Sequence, residues 1–336
     1  MKIALDAMGG DFGPPHNIAG AKLALADNHH IEKLFLVGDE ALLKAEVDAQ
    51  GLSDRRVEIV HASQVVTMHD PATAAVRGKK DSSITVAADL VKRGESEAVV
   101  SAGHTGAAVA ATTVKFRLLP GVERAGIASP IPNDHGICNL IDAGANPEAK
   151  PIHLLQYAIM GSVYARHVQG VPKPRVGLMS VGEEDSKGTE FTREVFALLR
   201  ESNLNFKGNI EGHDLFESEI HVVVCDGFVG NVILKSCEAT AKAMMKWLKR
   251  ELMAKPVRKF GAMLAKGGFA AVKDRISADT YGGSPLLGVN GICIIGHGSS
   301  SPLAIKNAIL AASEAIRHGV NPHIQDEIAK FDLAHA

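Results

Sequence analysis

The sequence predicts a mostly parallel α/β fold. Short apolar runs recur along the whole chain, each run ends in glycine or a small polar residue, and helical patterns fill the intervals. Strands covered by helices on both faces read as near-continuous apolar runs because neither face meets water. The 336 residues, 46% hydrophobic and 22% charged, suffice for two domains or one large α/β unit and exclude a disordered or low-complexity chain.

In chain order the expected strands are KIALD (2–6), LFLVGD (34–39), VEIV (57–60), AVVSAG (98–103), CNLIDAG (138–144), RVGLMSVG (175–182), HVVVCDG (221–227) and GICIIGHG (291–298). Two helices carry clear end signals. The first follows Ser82 or Ser83 as cap, places Leu90 and Val91 inward and stops at Gly94. The other has Ser301 as N-cap, Pro302 in its first turn, Ile305, Ile309 and Ile316 on one stripe, and Gly319 as its stop. Proline-containing loops at 146–151 and 171–174 are candidate boundaries, but strands continue across both, so residues 1–336 are expected to form one domain.

Composition narrows the function. With 36 basic and 38 acidic residues the net charge is -2, which gives no global basis for nucleic-acid binding. The four cysteines are widely spaced without a CxxC pair, as expected of reduced thiols in the cytoplasm. The amino terminus lacks the apolar core of a signal peptide, and the longest small, apolar stretch, 107–114, is far short of the roughly 20 residues that cross a membrane.

Ligands of open parallel sheets bind beyond the carboxyl ends of the strands. Five glycine-rich loops are expected there around one crevice: 6–11, 101–106, 180–188, 226–231 and 296–301. Glycine admits close approach of backbone N–H groups, and a following helix adds partial positive charge, so the set suits phosphate, although any one loop taken singly reads more readily as an ordinary tight turn. The tract Arg77-Gly-Lys79-Lys80-Asp-Ser82-Ser83 adds three cations before a helix N-terminus, and reads as either an oxyanion site or a solvated basic loop. No dinucleotide fingerprint, Walker A loop, HExxH or GxSxG motif is present, so no cofactor, catalytic metal or serine nucleophile is expected. His104 and His297 stand in glycine loops, where an imidazole serves as acid, base or donor. Lys187, in a glycine-bounded loop, is placed to neutralise phosphate or an oxyanion.

Residues 241–280 are expected to form a projecting amphipathic helical hairpin. From 242 to 275 there are ten basic residues against two acidic ones, interleaved with Trp247, Met253, Phe260, Met263 and Phe269. That mixture suits an acidic partner protein, an anionic membrane surface, a greasy acyl chain or a subunit interface.

Seven ordered motifs, ALDAMGGDFGP (4–14), AVRGKKDSS (75–83), SAGHTGA (101–107), DAGAN (142–146), SVGEEDSKG (180–188), VCDGFVGNVILK (224–235) and GHGSS (296–300), closely resemble those of the bacterial phosphate acyltransferase family, PlsX, from about residue 2 to 317. The resemblance implies a Rossmann-like α/β/α fold akin to the isocitrate dehydrogenase and phosphotransacetylase group. It also implies a cytoplasmic homodimer, peripherally membrane-associated through the hairpin, that moves a long-chain acyl group from acyl-acyl-carrier protein to inorganic phosphate for phospholipid synthesis. Thioester and phosphate are already activated, so positioning and charge neutralisation suffice without a covalent intermediate. On that reading Asp6, Gly9, Gly10, Arg77, Lys79, Lys80, Ser82, Ser83, Gly103, His104, Thr105 and Gly106 form the phosphate site. Lys187 and His297 stabilise the oxyanion or protonate the thiolate, and Asp226 and Asn231 orient them. Lys246, Trp247, Lys249, Arg250, Arg258 and Lys259 meet the carrier protein or membrane. The chain departs from the family twice, with His104 where asparagine is common and Ile295 where a lysine commonly precedes the HG histidine by two residues. The rival readings are a phosphotransacetylase-like enzyme using a coenzyme A thioester and a non-catalytic scaffold for carrier protein or membrane, with an NAD-linked dehydrogenase ranking lowest.

Overall fold

Each of the eight apolar runs becomes a strand in a computed structural model, which describes residues 1–67 and 69–335 and, within them, every side chain except those of 72, 73, 75, 278 and 332–335. The chain runs β1 (Lys2–Asp6), α1 (Gly13–Asp27), β2 (Lys33–Gly38), α2 (Glu40–Ala49), β3 (Val57–His61), α3 (Ala72–Gly78), α4 (Ser83–Lys92), β4 (Ala98–Ser101), α5 (Thr105–Phe116), β5 (Gly126–Ile127), β6 (Ser129–Asn133) and β7 (Gly136–Ile141). It continues α6 (Pro151–His167), β8 (Arg175–Met179), α7 (Glu190–Glu201), β9 (Asn205–Ile210), α8 (Asp214–Glu217), β10 (Val222–Val224), α9 (Gly227–Met253), α10 (Pro256–Leu264), α11 (Lys266–Ile276), α12 (Ala278–Tyr281), β11 (Ser284–Leu287), β12 (Ile292–Ile295), α13 (Pro302–Arg317) and α14 (Val320–His335). β5, β6, β9 and β11 are the strands the sequence pattern does not mark.

The strands form two sheets, of seven in the order β3-β2-β1-β4-β12-β11-β5 and of five in the order β6-β7-β10-β8-β9. Pairing is parallel except where β11 and β6 join their neighbours. Helices cover both faces of each sheet. In the first sheet, Ile3, Leu5, Leu34, Leu36, Val100 and Ile294 pack on α1 and α13, while Ala4, Val37, Val99 and Cys293 pack on α4 and α5. In the second, Ile141, Val176, Leu178, Val222 and Val224 pack on α6, α7 and α14, while Cys138, Leu140 and Val223 face the start of α9. Cys138, Cys225 and Cys293 are buried free thiols, and burial pushes Cys138 and Cys293 up to about 12.

The sheets meet where the chain passes from β5 into β6. Asp142, fully buried after β7, fixes that junction: its Oδ1 accepts from the N–H of Ile127 at 3.0 Å, Gly144 at 3.0 Å and Ala145 at 2.9 Å, and its Oδ2 from the N–H of Asn146 at 2.6 Å. The end signals act as expected except at Ser82, whose side chain makes no capping hydrogen bond. Ser301 Oγ accepts from the Ala304 N–H, Ser82 takes the N-cap conformation of α4, and Gly94 and Gly319 supply left-handed φ of 73° and 55°.

The helical projection differs from its expected bounds. It starts at Gly227 and comprises α9, α10 and α11, none of which has a buried residue beyond Gly227 and Gly230. The face of Ala241, Met244, Met245, Leu248 and Leu252 is therefore at least partly open to solvent in the single chain, with Met244 and Leu248 60% and 40% exposed.

Candidate active site

The order β3-β2-β1-β4 reverses direction between β1 and β4, and at such a switch point the flanking loops part to leave a crevice. Three of the five glycine loops converge there. Ser101 Oγ at the end of β4 donates to Asp6 Oδ2 at the end of β1 over 2.7 Å and accepts from the Gly103 N–H at 3.1 Å. Asp11 N–H donates to Gly298 O at 2.7 Å, and Gly296 N–H to Ser101 O at 2.8 Å. Asn17 of α1 pins the first loop by donating to Ala7 O and Gly9 O, both at 2.9 Å. A Cβ on Gly9 would stand 2.8 Å from Asp6 Oδ2 and from the Gly103 N, so only glycine lets these loops touch backbone to backbone.

Asp6 is 3% exposed, and its Oδ1 has no hydrogen-bond partner. Burial raises its pKa against the opposing effects of the Ser83 and Ser101 hydroxyls. A carboxyl biased toward its neutral form repels an incoming anion less than an ionised one. Beside it, α5 presents its N-terminus. Thr105 and Gly106, in its first turn, have no acceptor for their N–H groups among the described residues. Arg77 and Lys80 are exposed ahead of α4 without an ion-pair partner among the described residues.

The other two glycine loops lie on the second sheet, so the five do not rim one continuous sheet edge. Asp226 caps α9, its Oδ1 accepting from Phe228 and Val229 N–H at 2.9 Å each. A Cβ on Gly230 would come within 2.0 Å of Asp142 O, so the glycine lets α9 leave the sheet in contact with the 142–146 turn. From that anchor α9 passes the first sheet's loops, and Glu238 Oε2 lies 3.7 Å from His297 Nε2. His297 Nδ1 faces Ser299, 2.8 Å from its Oγ and 3.1 Å from its N–H. Burial lowers the His297 pKa; Lys235 and Lys242 act in the same direction, and Glu238 and Asp11 oppose them.

The remaining expected residues distribute unevenly. His104 caps α5, with Nδ1 accepting from the Ala107 N–H at 3.2 Å, so its ring is engaged in holding the helix terminus. Lys79 is tied to Asp70 at 2.6 Å and Val65 O at 2.9 Å, so its charge is engaged within its own loop. Ser82 Oγ donates to Thr85 Oγ1 at 2.8 Å, and Ser83 lies buried near Asp6. Gly10 adopts a φ of 93° against Gly298 O. Lys187 pairs at 3.8 Å with Glu184 of its own loop and contacts neither His297 nor Asp6. Asn231 packs over Gly144. Lys246, Trp247, Lys249, Arg250, Arg258 and Lys259 are exposed on the projection, Arg258 paired with Glu251 at 2.9 Å. Sequence reasoning gave no role to Ser101, Asp142, Glu238 or Ser299. Ser101, Asp142 and Ser299 were inside quoted motifs, whereas Glu238 has no local signal.

The family model of a fatty acid synthesis protein matches residues 1–323. A phosphate acyltransferase of Akkermansia muciniphila is 57% identical, the match covering 98% of this chain and 97% of that protein. One from Geobacter sulfurreducens is 47% identical over 98% and 94%. Among solved structures, a phosphotransacetylase from Streptococcus pyogenes superposes with a TM-score of 0.62 at 17% identity, covering 94% of both chains. A branched-chain phosphotransacylase from Enterococcus faecalis gives 0.59 at 13% identity, over 95% of this chain and 99% of the other. These two likenesses concern the fold.

Proposed function

The chain belongs to the fatty acid synthesis protein family, and from that premise we infer how its site works. It is an acyltransferase that moves an acyl group to phosphate in fatty acid and phospholipid synthesis. We propose that the donor is a long-chain acyl-acyl-carrier protein and the acceptor inorganic phosphate. The observation that supports the phosphate acceptor is the pair of first-turn N–H groups of α5, without an acceptor among the described residues, at the β1/β4 switch point beside the buried Asp6 carboxyl; the basic, apolar surface of α9–α11 supports the carrier-protein donor.

The chemistry balances without a cofactor. An oxygen of hydrogenphosphate attacks the thioester carbonyl, the C–S bond breaks, and the proton of hydrogenphosphate ends on the departing thiolate. The chain therefore has to hold phosphate and carry one proton. The α5 N-terminus, Gly9, Gly10 and Gly103 give the anion a backbone cradle, Arg77 and Lys80 offset its charge, and Thr105 offers a hydroxyl. His297, half-exposed beside these loops with its pKa lowered, is suited to take and return the proton. Lys187 is assigned the oxyanion, which requires its loop to close toward His297 when the donor binds. Asp226 holds α9 in place and Asn231 keeps it against the 142–146 turn. The basic, apolar projection is assigned to the acidic carrier protein, with a second copy of the chain or an anionic membrane as the other surfaces it suits. Among the described residues no helix is long and apolar enough to cross a membrane.

Replacement of His297 by glutamine tests the proton assignment. Turnover is expected to fall by about 10²–10⁴-fold with the fold intact, whereas unchanged turnover removes His297 from the reaction.

A further inference from the structure

The two nitrogens of His297 face different elements. The Ser299 N–H donates to Nδ1 over 3.1 Å, which makes Nδ1 an acceptor and places the neutral ring's proton on Nε2. Nε2 faces Glu238 Oε2 at 3.7 Å, and Lys235 Nζ holds the same oxygen at 3.2 Å. Glu238 is 23% exposed and lies on α9, which begins on the second sheet, whereas His297 belongs to a loop of the first. The contact thus crosses between the two halves of the molecule. The charged groups around the imidazole are Glu238, Lys235 and Lys242 on α9 and Asp11 on the β1–α1 loop.

Resting on the phosphate acyl transfer read above, we propose that Glu238 is a positioning residue for that reaction. Its carboxylate, 3.7 Å from Nε2, favours the Nε2–H tautomer electrostatically, which leaves Nδ1, beside Ser299, as the atom that takes the hydrogenphosphate proton and passes it to the thiolate. When Nδ1 takes that proton, the Ser299 N–H that donates to it in the neutral ring has to turn away, and the cationic ring is stabilised by the Glu238 carboxylate as it forms. Lys235 limits the effect by sharing the carboxylate, so the pair tunes His297 from one helix. Ser299 keeps Nδ1 oriented through its N–H and hydroxyl until substrate displaces both.

Opposite shifts from the two α9 residues distinguish positioning from bulk structure. In Glu238→Gln the carboxylate charge is lost and the His297 pKa is expected to drop, while in Lys235→Met it is expected to rise. Both are read by ¹⁵N NMR of the imidazole, with the His297 signals identified by their loss in His297→Gln. The Nε2–H tautomer is expected to dominate in the unmodified protein and to weaken in Glu238→Gln. The acid limb of the kcat/KM profile with a long-chain acyl-carrier-protein thioester is expected to follow the same two shifts, with kcat lowered and KM little changed in Glu238→Gln. An unchanged His297 titration and tautomer in both variants overturns the proposal, as does a titration that shifts while the acid limb stays fixed. Should the unmodified protein form no acyl phosphate, the functional reading fails, and the NMR arm still decides whether Glu238 orients His297.

Discussion

At the scale of single residues, burial and partners sort the candidates more sharply than residue type does. Asp6 and Asp54 are both aspartates with opposite linkage to pH. Burial raises the folded pKa of Asp6 above its usual 3.8, so its contribution to stability is present at low pH and lost as pH rises through that elevated value. Asp6→Asn is therefore expected to raise the melting temperature at pH near 8 while lowering turnover; a lower melting temperature there contradicts this account of the carboxyl. Arg56 holds Asp54 down to about 2, so its contribution is present above the usual 3.8 and lost as pH falls from there toward 2. Asp54→Asn is expected to flatten the acid side of a melting-temperature profile and leave turnover intact. Lys187, paired only within its loop, is the candidate whose role depends on closure. Lys187→Ala should lower kcat far more than stability, and unchanged turnover removes it from the mechanism.

At the scale of elements, α9 joins the anchor, the imidazole and the exposed projection. Its N-terminus depends on Asp226, whose loss as a cap is expected to cost about 1 kcal/mol, and on Gly230, where an added Cβ meets the Asp142 carbonyl at 2.0 Å. Gly230→Ala is expected to destabilise by on the order of 1–3 kcal/mol, measured by denaturant unfolding, and to lower turnover by displacing Glu238. A stable, fully active variant contradicts the anchor. Charge reversal at Lys246, Lys249, Arg250 and Arg258 is expected to weaken carrier-protein binding in a salt-dependent way; unchanged affinity for carrier protein and for anionic vesicles refutes the assignment of this surface. The elements that escaped the sequence reading did so for physical reasons. β6 contains two prolines and survives as an edge strand paired only with β7, β11 also carries a proline, and β9 is NFKGNI, too polar to resemble a buried run. Seven of the eight apolar runs were legible because they are buried in their sheets, whereas β3 is an edge strand with no fully buried residue, legible from its pattern alone.

At the scale of the whole molecule, apolar runs specify strands without specifying which sheet receives them. The glycine loops were therefore recognisable, but their division between the β1/β4 switch point and the end of β10 was not. His297 and Asp226 are both strand-end residues, and what relates them is a helix crossing from one sheet to the other's loops through Glu238. Local signals mark turns and caps; a contact between residues of different sheets leaves no trace at either position. The central claim is that this architecture presents phosphate to a carrier-bound thioester. The most direct test is phosphate-dependent consumption of a long-chain acyl-carrier-protein thioester by the purified protein, with hydroxylamine trapping of acyl phosphate and acyl coenzyme A run in parallel. Acyl phosphate from the carrier-protein thioester, with less or none from the coenzyme A ester, is the predicted result. Product from coenzyme A alone, or none from either donor with the protein folded, contradicts it.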